Sequence, residues 1–393
     1  MTSPAQLGMA PRGSGATGKT APLAGEVVYM YAFDVAYEMR RTPVRTLLGQ
    51  PVQQFVVDPS KRNPRQLSFY RPQMVRLPPI ERAGPGGAAL ALERTVKLLP
   101  LGAISVTVRV PFRVGELGEL VAYHDLRFAD GTYLYDEVRA LAEQVRSELA
   151  AHYIRPVPQL GEEEAYTAFC VQAPAVFTPE HSPRGAEQWL NDNRRAIAAL
   201  LVEERDPAHL SAQEAEESTG KFFSYYDHDL VVIDWDAALV VDEPRNFDEV
   251  LYLMELANLQ LAELEAYDRI LDDAVERSYR DLSTRFRGWR RAMTGVQREL
   301  REIRIDLARL SDELSNITKF FGDWHLARIY AALSQRFHLN DWHRTIDDKL
   351  KTLDDLYQLL RADQNNRWML ILEATIVLLF ILDLAMLFMT RGH

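Results

Sequence analysis

The most constraining feature of this sequence is a run of 22 mostly apolar residues near its C-terminal end, Trp368–Met389. At about 1.5 Å per residue, a helix of this length extends roughly 33 Å, which matches the hydrocarbon core of a bilayer. Its Leu, Ile, Val and Phe residues favour insertion, whereas the carboxyl groups of Glu373 and Asp383 oppose it. The run predicts a transmembrane helix over residues 366–389, and a buried C-terminal helix of a soluble protein is the alternative.

The two acidic residues of this run also predict a protein partner. Glu373 and Asp383 are ten positions apart, so at about 100° per residue they lie on one broad side of a helix. A side that carries carboxyl groups is expected to face another protein helix rather than lipid. We therefore expect a homo-oligomer, and an oligomer that conducts protons or ions is the sharper alternative.

Cysteine usage and the N-terminal residues predict a location. Cys170 is the one cysteine, which excludes an intramolecular disulfide and fits a reducing compartment. Residues 1–25 contain no apolar run of the kind found in secretory signals. The sequence thus predicts a tail-anchored, single-pass protein, with the bulk of the chain cytoplasmic and the bacterial inner membrane as its site.

The rest of the chain divides into regions of different pattern. Residues 1–25 are rich in Gly, Ser and Pro and are expected to be disordered. Within them Gly13–Thr20 matches a phosphate-binding loop but lacks the flanking strand and helix.

Residues 26–244 predict an α+β domain, with helices on one face of a sheet. Its predicted strands are Val27–Phe33, Gln53–Val57, Ile104–Phe112, Tyr166–Val171 and Leu230–Val241, and its predicted helices are Tyr133–Tyr153 and Ala186–Glu204.

Helical patterns continue from residue 245 to the end of the chain. Residues 245–321 predict long helices with a coiled coil, and residues 322–365 predict a helical hairpin that acts as a stalk. The predicted fold class is therefore an α+β N-terminal domain followed by an all-α coiled-coil stalk and one C-terminal transmembrane helix.

The coiled-coil prediction rests on apolar residues that alternate at spacings of three and four between Phe286 and Ile317. The pattern fits an antiparallel pair of helices within one chain, and it fits equally a seam between chains. Together with Glu373 and Asp383, four members of the seam form the predicted oligomerisation surface: Trp289, Leu300, Leu307 and Leu314.

A basic segment near the front of the chain predicts a second type of partner. The net charge is −11, yet residues 1–110 carry 14 Lys and Arg against 6 Asp and Glu. The segment 59–76 has no acidic residue and includes Phe69 and Tyr70, a mixture that suits single-stranded RNA or anionic lipid headgroups. A solvated loop is the alternative. The candidate contacts to RNA, ribosome or anionic lipid are Lys61, Arg62, Arg65, Arg71 and Arg76.

Two groups of side chains have the composition of metal sites. Four carboxylates lie within ten residues, at Asp227, Asp229, Asp234 and Asp236, and could hold a hard cation for hydrolysis; acidic residues at strand ends and turns are the structural alternative. The tripeptides Asp323–His325 and Asp341–His343 repeat an Asp-Trp-His pattern, in which we expect the acid to favour the start of a helix and the Trp to pack inward. No arrangement of a nucleophile with a base is visible, so the sequence predicts no catalytic residue, no metal and no cofactor.

Four segments resemble a known family. The segment Tyr330–Asn340, the predicted helix Asp347–Leu360 and the acid-bearing start of the apolar run are similar to the C-terminal part of the family required for meiotic nuclear division. Tyr31–Glu38 is similar to bacterial members of that family. The resemblance implies a single-pass membrane protein that forms homo-oligomers; the mitochondrial members support translation by holding ribosomes near the inner membrane. The family supplies no accepted catalytic residue.

These observations together predict a non-enzymatic, tail-anchored membrane scaffold. Its oligomer would present the basic front of the chain to a partner such as a ribosome or RNA. The alternatives are a membrane-tethered, metal-dependent hydrolase that uses the Asp227–Asp236 carboxylates, and an oligomer that handles protons or ions through Glu373 and Asp383.

Overall fold

The computed structural model describes residues 22–40, 42–54, 73–99, 102–157, 159–173, 185–283, 301, 304–305 and 324–391. The described residues build a nine-stranded sheet with helices on both faces. A long C-terminal helix extends the layer on one of those faces.

The sheet has the order β11-β12-β13-β10-β1-β8-β7-β6-β5. Its neighbours pair antiparallel except β10 and β13, which are parallel. The small pairs β2–β9 and β3–β4 lie outside it. The strands are β1 Leu23–Asp34, β2 Ala36–Met39, β3 Thr46–Leu47, β4 Gln50–Pro51, β5 Gln53–Gln54, β6 Gln73–Ala83, β7 Ala89–Leu98, β8 Ala103–Val114, β9 Tyr153–Pro156, β10 Glu164–Gln172, β11 Phe222–Phe223, β12 Leu230–Ile233 and β13 Ala237–Asp242.

The central strand β1 is apolar on both of its faces. Successive side chains of a strand point to opposite sides, so the continuous apolar run of β1 supplies two cores. One core receives Val27, Tyr29, Tyr31 and Phe33, and the other receives Val28, Met30 and Ala32. All seven residues are buried. A strand of this kind requires a cover on each face of the sheet.

Two sets of helices provide those covers. The first face packs against α1 (Leu134–Glu148) and α2 (Ala186–Leu201), and a short helix α3 (Ala212–Ser218) packs on α2. The second face packs against α4 (Phe247–Ser283), which is covered in turn by α5 (Trp324–Arg336) and the first turns of α6 (Leu339–Arg391). The predicted α+β domain is confirmed, and its own helices α1 and α2 lie on one face of the sheet. The second face is covered by α4, α5 and α6, which come after the predicted domain.

Helix α4 docks on the sheet through polar contacts as well as apolar ones. Glu255 receives hydrogen bonds from the ammonium group of Lys97, from Ser105 Oγ at 2.5 Å and from Thr107 Oγ1 at 3.3 Å. Asn258, one turn further along, donates from Nδ2 to the carbonyl oxygen of Glu164 at 2.9 Å. A buried carboxylate that is satisfied in this way fixes where α4 sits, because any sliding leaves a charge without its partner.

The prediction of a transmembrane helix is wrong. Within the described residues, no helix is both long enough and apolar enough to span a bilayer. Helix α6 has 53 residues and contains the predicted span 366–389. Glu373 interrupts the apolar run, and a carboxylate opposes insertion. The predicted terms transmembrane, single-pass and tail-anchored are wrong together with the span.

The predicted coiled-coil seam lies outside the described residues. This applies to Trp289, Leu300, Leu307 and Leu314, and also to the side chain of Asp383. One described residue of the segment, Arg304, donates from Nη2 to Asp354 Oδ2 on α6 at 2.6 Å. The segment thus makes at least one contact within its own chain.

The Lys97–Glu255 pair gives a test of how α4 is held. We expect Glu255→Ala to lower the free energy of unfolding by about 3–5 kcal/mol, because the Lys97 ammonium is then buried without a counter-charge. The double variant Lys97→Met/Glu255→Leu is expected to recover most of the loss. Urea denaturation followed by circular dichroism measures both, and Arg245→Met, in an exposed pair with Glu243, is the control at below about 1 kcal/mol. Equal effects of Glu255→Ala and Arg245→Met would contradict this interpretation.

Candidate functional site

Two of the four carboxylates predicted as a possible cation site, those of Asp229 and Asp234, are held by protein contacts, whereas Asp227 and Asp236 are exposed. Asp229 Oδ1 accepts hydrogen bonds from the amides of Tyr225 and Tyr226, both at 2.8 Å, and from Ser224 Oγ at 3.2 Å. Asp234 Oδ1 accepts from the amide of Trp235 at 2.9 Å and pairs with Arg336. These are the contacts of carboxylates that organise turns.

The pair of Asp234 and Arg336 joins the sheet to the helical layer. Asp234 begins the three-residue turn between β12 and β13, and Arg336 is the last residue of α5. Their side chains are only 7% and 12% exposed. The hydroxyl of Tyr166, on β10, donates to the carbonyl oxygens of Asp234 and Ala237, both at 3.1 Å. The turn is therefore held by Tyr166 of β10 and by Arg336 of α5.

A cleft of about 650 Å³ opens beside this ion pair. Five carboxylates line it, together with the guanidinium of Arg336 and the imidazole of His124; the acidic residues are Glu203, Glu214, Glu217, Asp234 and Asp236. Glu217 Oε1 accepts from Arg336 Nη1 at 3.2 Å. Among the residues that the structure describes, no group of three or more His, Cys, Asp or Glu side chains is arranged to hold a metal ion. The geometry thus offers no support for the hydrolase alternative.

The two Asp-Trp-His repeats have different surroundings. Helix α5 starts at Trp324, but the indole of this residue is 78% exposed, so the prediction that it packs inward is wrong. Trp342, in contrast, is partly buried against the second core. His338, in the turn between α5 and α6, has a φ of 51° and stacks on Trp235 with ring centroids 5.2 Å apart. The two repeats therefore form no common site.

Carboxyl groups also meet at the start of β10. Burial, together with a hydrogen bond with the carboxyl group of Glu265 on α4, raises the pKa of Glu164 to about 8. Burial likewise raises the pKa of Asp34, at the end of β1, to about 6, although the nearby guanidinium of Arg269 opposes this shift. Glu265 is paired with Arg269 at 3.7 Å. Of Glu164 and Asp34, Glu164 is therefore the one whose pKa lies above neutral pH.

The predicted contact residues are only partly covered by the structure. Arg76 lies exposed on β6, and Glu373 lies exposed on α6. The other candidate contacts to RNA or lipid, Lys61, Arg62, Arg65 and Arg71, lie outside the described residues. RNA, ribosome or anionic-lipid binding thus stays a prediction.

A surface that the sequence reasoning missed lies between β11 and β12. We name Ser224–Asp229 the tyrosine loop, because Tyr225 and Tyr226 are both more than 60% exposed. The available signal was the run of two aromatic residues followed by an Asp three and four positions later, which is typical of a turn that is capped by a side chain. The separation of about 100 residues in sequence concealed the other part of the surface, His325 of α5, whose ring centroid lies 5.5 Å from that of Tyr225.

Comparison with known proteins matches the sheet domain to one family. A family model described as the N-terminal domain of the uncharacterized protein MJ0711 matches residues 24–248. The uncharacterized protein MJ0711 of Methanocaldococcus jannaschii is 24% identical over 221 residues, which are 56% of this chain and 65% of that protein. The chain therefore covers slightly less than two thirds of this relative's length. No solved structure matches. The comparisons lend no support to the resemblance to the family required for meiotic nuclear division.

The Asp234–Arg336 pair predicts how strongly α5 holds the turn between β12 and β13. We expect Arg336→Met to lower the free energy of unfolding by about 3–5 kcal/mol, because Asp234 is left buried without its counter-charge. Hydrogen exchange of the Trp235 and Ala237 amides should accelerate, since the turn loses its side support. Arg344→Met, at an exposed arginine that pairs with Asp341, is the matched control. A change no larger than that of the control would show that the pair does not hold the turn.

The raised pKa of Glu164 predicts a pH dependence of stability. The folded protein keeps this proton up to about pH 8, whereas the ordinary value of 4.5 applies to the unfolded chain. The contribution of this group to the free energy of unfolding is therefore complete below about pH 4.5 and is lost as the pH rises towards 8. Glu164→Gln removes the ionisation, so we expect it to stabilise the protein by about 1–2 kcal/mol at pH 8 and to have little effect at pH 5. Urea titrations at both pH values measure this, and an equal effect at both would contradict it.

Proposed function

Because this chain belongs to the family of the N-terminal domain of the uncharacterized protein MJ0711, we propose that it combines that family's α+β body with a helical layer of its own and acts as an oligomeric scaffold. The helical part holds several copies together, and the bodies are presented to partners. The family match ends at residue 248, at the start of α4. Self-association is thus assigned to residues beyond the matched domain.

One observation carries this proposal, the exposed apolar surface of Met369–Leu382 on α6. We name this segment the apolar arm. Eleven of its apolar residues are between 54% and 70% exposed: Met369, Leu370, Ile371, Leu372, Ile376, Val377, Leu378, Leu379, Phe380, Ile381 and Leu382. A soluble protein rarely leaves so large a contiguous apolar surface in water unless the surface binds something.

The size of this surface suits an interface between chains. A fully buried side chain of this type removes roughly 60–120 Å² from water. Eleven of them at a little over half exposure therefore leave roughly 400–800 Å² per chain. This approaches the roughly 800 Å² that each partner contributes to a standard interface. Association of the apolar arms would thus bury enough surface to be stable.

The distribution of the apolar residues favours more than two chains. The consecutive residues Ile376–Leu382 cover nearly two turns, so apolar side chains point in every direction around the helix axis. A two-stranded coiled coil buries only a narrow stripe of each helix. We therefore propose a bundle of three or more arms, and within such a bundle the carboxyl group of Glu373 is expected to contact a neighbouring chain.

The base of α6 is firmly attached to the body. Ile346, Leu350 and Leu353 are completely or almost completely buried in the second core. Lys349 Nζ donates to Asp268 and Asp272 of α4, both at 2.6 Å. A continuous helix of 53 residues is about 80 Å long. The arm is therefore a rigid extension, and assembly of the arms would fix the spacing of the bodies.

The presented surface of the body is where the predicted partners would bind. Arg76 is exposed on β6 and belongs to the basic segment that suggested RNA or anionic lipid. The resemblance to the family required for meiotic nuclear division also implied homo-oligomers, and the proposal does not depend on it. RNA binding remains part of the proposal for the oligomer, as a function of the basic segment.

Self-association is tested on the full-length chain in detergent-free buffer. We expect light scattering after size-exclusion chromatography to give the mass of a trimer or a larger oligomer. The variant Leu378→Glu/Phe380→Glu is expected to shift this mass towards the monomer, because each glutamate replaces about 1.5–3 kcal/mol of apolar burial by a charge. Gln358→Glu places the same charge on an exposed position of α6 and should leave the oligomer unchanged.

Two results would overturn the proposal. A monomer at all concentrations that can be reached would show that the arms do not associate. A chain that stays monomeric but floats with phosphatidylcholine vesicles would show that lipid, rather than a second copy, covers the arm. Circular dichroism of each variant establishes that its helices have formed.

A further inference from the structure

The tyrosine loop presents two aromatic side chains on a fixed backbone. The carboxylate of Asp229 accepts hydrogen bonds from the amides of Tyr225 and Tyr226, and Ser224 Oγ donates to the carbonyl oxygen of Tyr226 at 2.6 Å. The loop is therefore ordered before any ligand binds. Exposed tyrosines on an ordered loop lose little conformational entropy on binding, which is the usual property of an aromatic recognition surface.

Four rings follow one another across this surface. The centroid of Tyr225 lies 4.7 Å from that of Tyr226 and 5.5 Å from that of His325, and the centroid of His228 lies 5.8 Å from that of Tyr226. The two tyrosine rings pack edge to face at 81°, and both side chains stay more than 60% exposed. The row is at most about 16 Å long. At 3.1 Å per residue, this is the length of about five residues of a polyproline II helix.

The size of the surface argues against a globular partner. Tyr225 and Tyr226 are 62% and 61% exposed. Aromatic side chains bury 150–250 Å² each, so the two together offer roughly 200–300 Å². A stable protein–protein interface needs about 800 Å² from each partner. A short extended segment fits this area better than a folded domain.

The charge of the surface argues against a nucleic acid. The stretch from Phe222 to Asp236 contains four Asp residues and no Lys or Arg. Arg328, a cation of the neighbouring α5, is placed over the ring of Phe223 at 5.2 Å. A single strand brings one phosphate with each base, and those phosphates need cations along the row. The exposed carboxylate of Asp227, which follows Tyr226 in the loop, instead suits a basic residue in the ligand.

We propose that the tyrosine loop binds a proline-rich segment of a partner protein in the polyproline II conformation. Prolines pack on the exposed rings of Tyr225 and Tyr226, and an Arg or Lys of the segment pairs with Asp227. Aromatic grooves recognise such segments because the ligand is already extended and loses little entropy. The surface lies on the body, away from the apolar arm, so this inference does not depend on self-association.

Fluorescence anisotropy of the full-length chain tests the proposal with three labelled probes. They are decaproline, a proline peptide of the same length with two arginines, and a twelve-residue oligouridylate. We expect both peptides to bind, the arginine peptide more tightly. Tyr225→Ala and Tyr226→Ala should each weaken peptide binding by about tenfold or more, because aromatic anchors carry most of the affinity of a small interface. Asp227→Asn should weaken only the arginine peptide, by several-fold.

Matched variants separate a lost contact from a lost fold. Tyr225→Phe keeps the ring and should bind within about twofold of the unchanged protein, and Tyr135→Ala removes another exposed tyrosine, on α1, and should have no effect. Leu378→Glu/Phe380→Glu should keep its affinity for the peptides even as a monomer. The proposal is overturned if neither peptide binds, if Tyr225→Ala and Tyr226→Ala bind like Tyr135→Ala, or if the oligouridylate binds in preference to both peptides.

Discussion

The architecture depends on the central strand β1, because its apolar side chains need a cover on both faces of the sheet. β1 carries large apolar side chains on both of its sides, and so does the adjacent β10, which means that the sheet cannot leave one face in water. The first face is covered by helices that lie close in sequence to the strands. The second face is covered by α4, which starts only after the last strand of the sheet. The helical layer is therefore a structural requirement of the sheet.

Polar contacts fix the positions of the helices on the sheet. Apolar surfaces alone allow helices to slide, since the energy of burial depends on area and hardly on direction. The Glu255 cluster fixes α4 on β7 and β8, and the Asp234–Arg336 pair fixes α5 on the β12–β13 turn. Both join parts of the chain that are more than 100 residues apart. A unique arrangement of the layers follows from these two charged contacts.

The sequence predicted local structure better than it predicted assembly. The alternation of apolar residues identified segments within β1, β8 and β10, and helical spacing located α1 and α2, because these signals are properties of neighbouring residues. The strand order, the parallel pairing of β10 with β13 and the partner of Asp234 were not accessible, since each depends on residues far apart in sequence. The Asp227–Asp236 carboxylates have the same composition in a cation site and in capped turns, and only the positions of the backbone amides distinguish the two. The composition of the apolar run near the C-terminal end predicted a transmembrane helix, although carboxylates interrupt that run.

The family match and the second core have different limits. The matched region ends where α4 begins, yet Val28, Met30, Ala168 and Cys170 on the sheet are buried by residues that come after it. A fragment of this chain cut at residue 248 would therefore expose an apolar face of the sheet to water, and such a fragment is expected to aggregate.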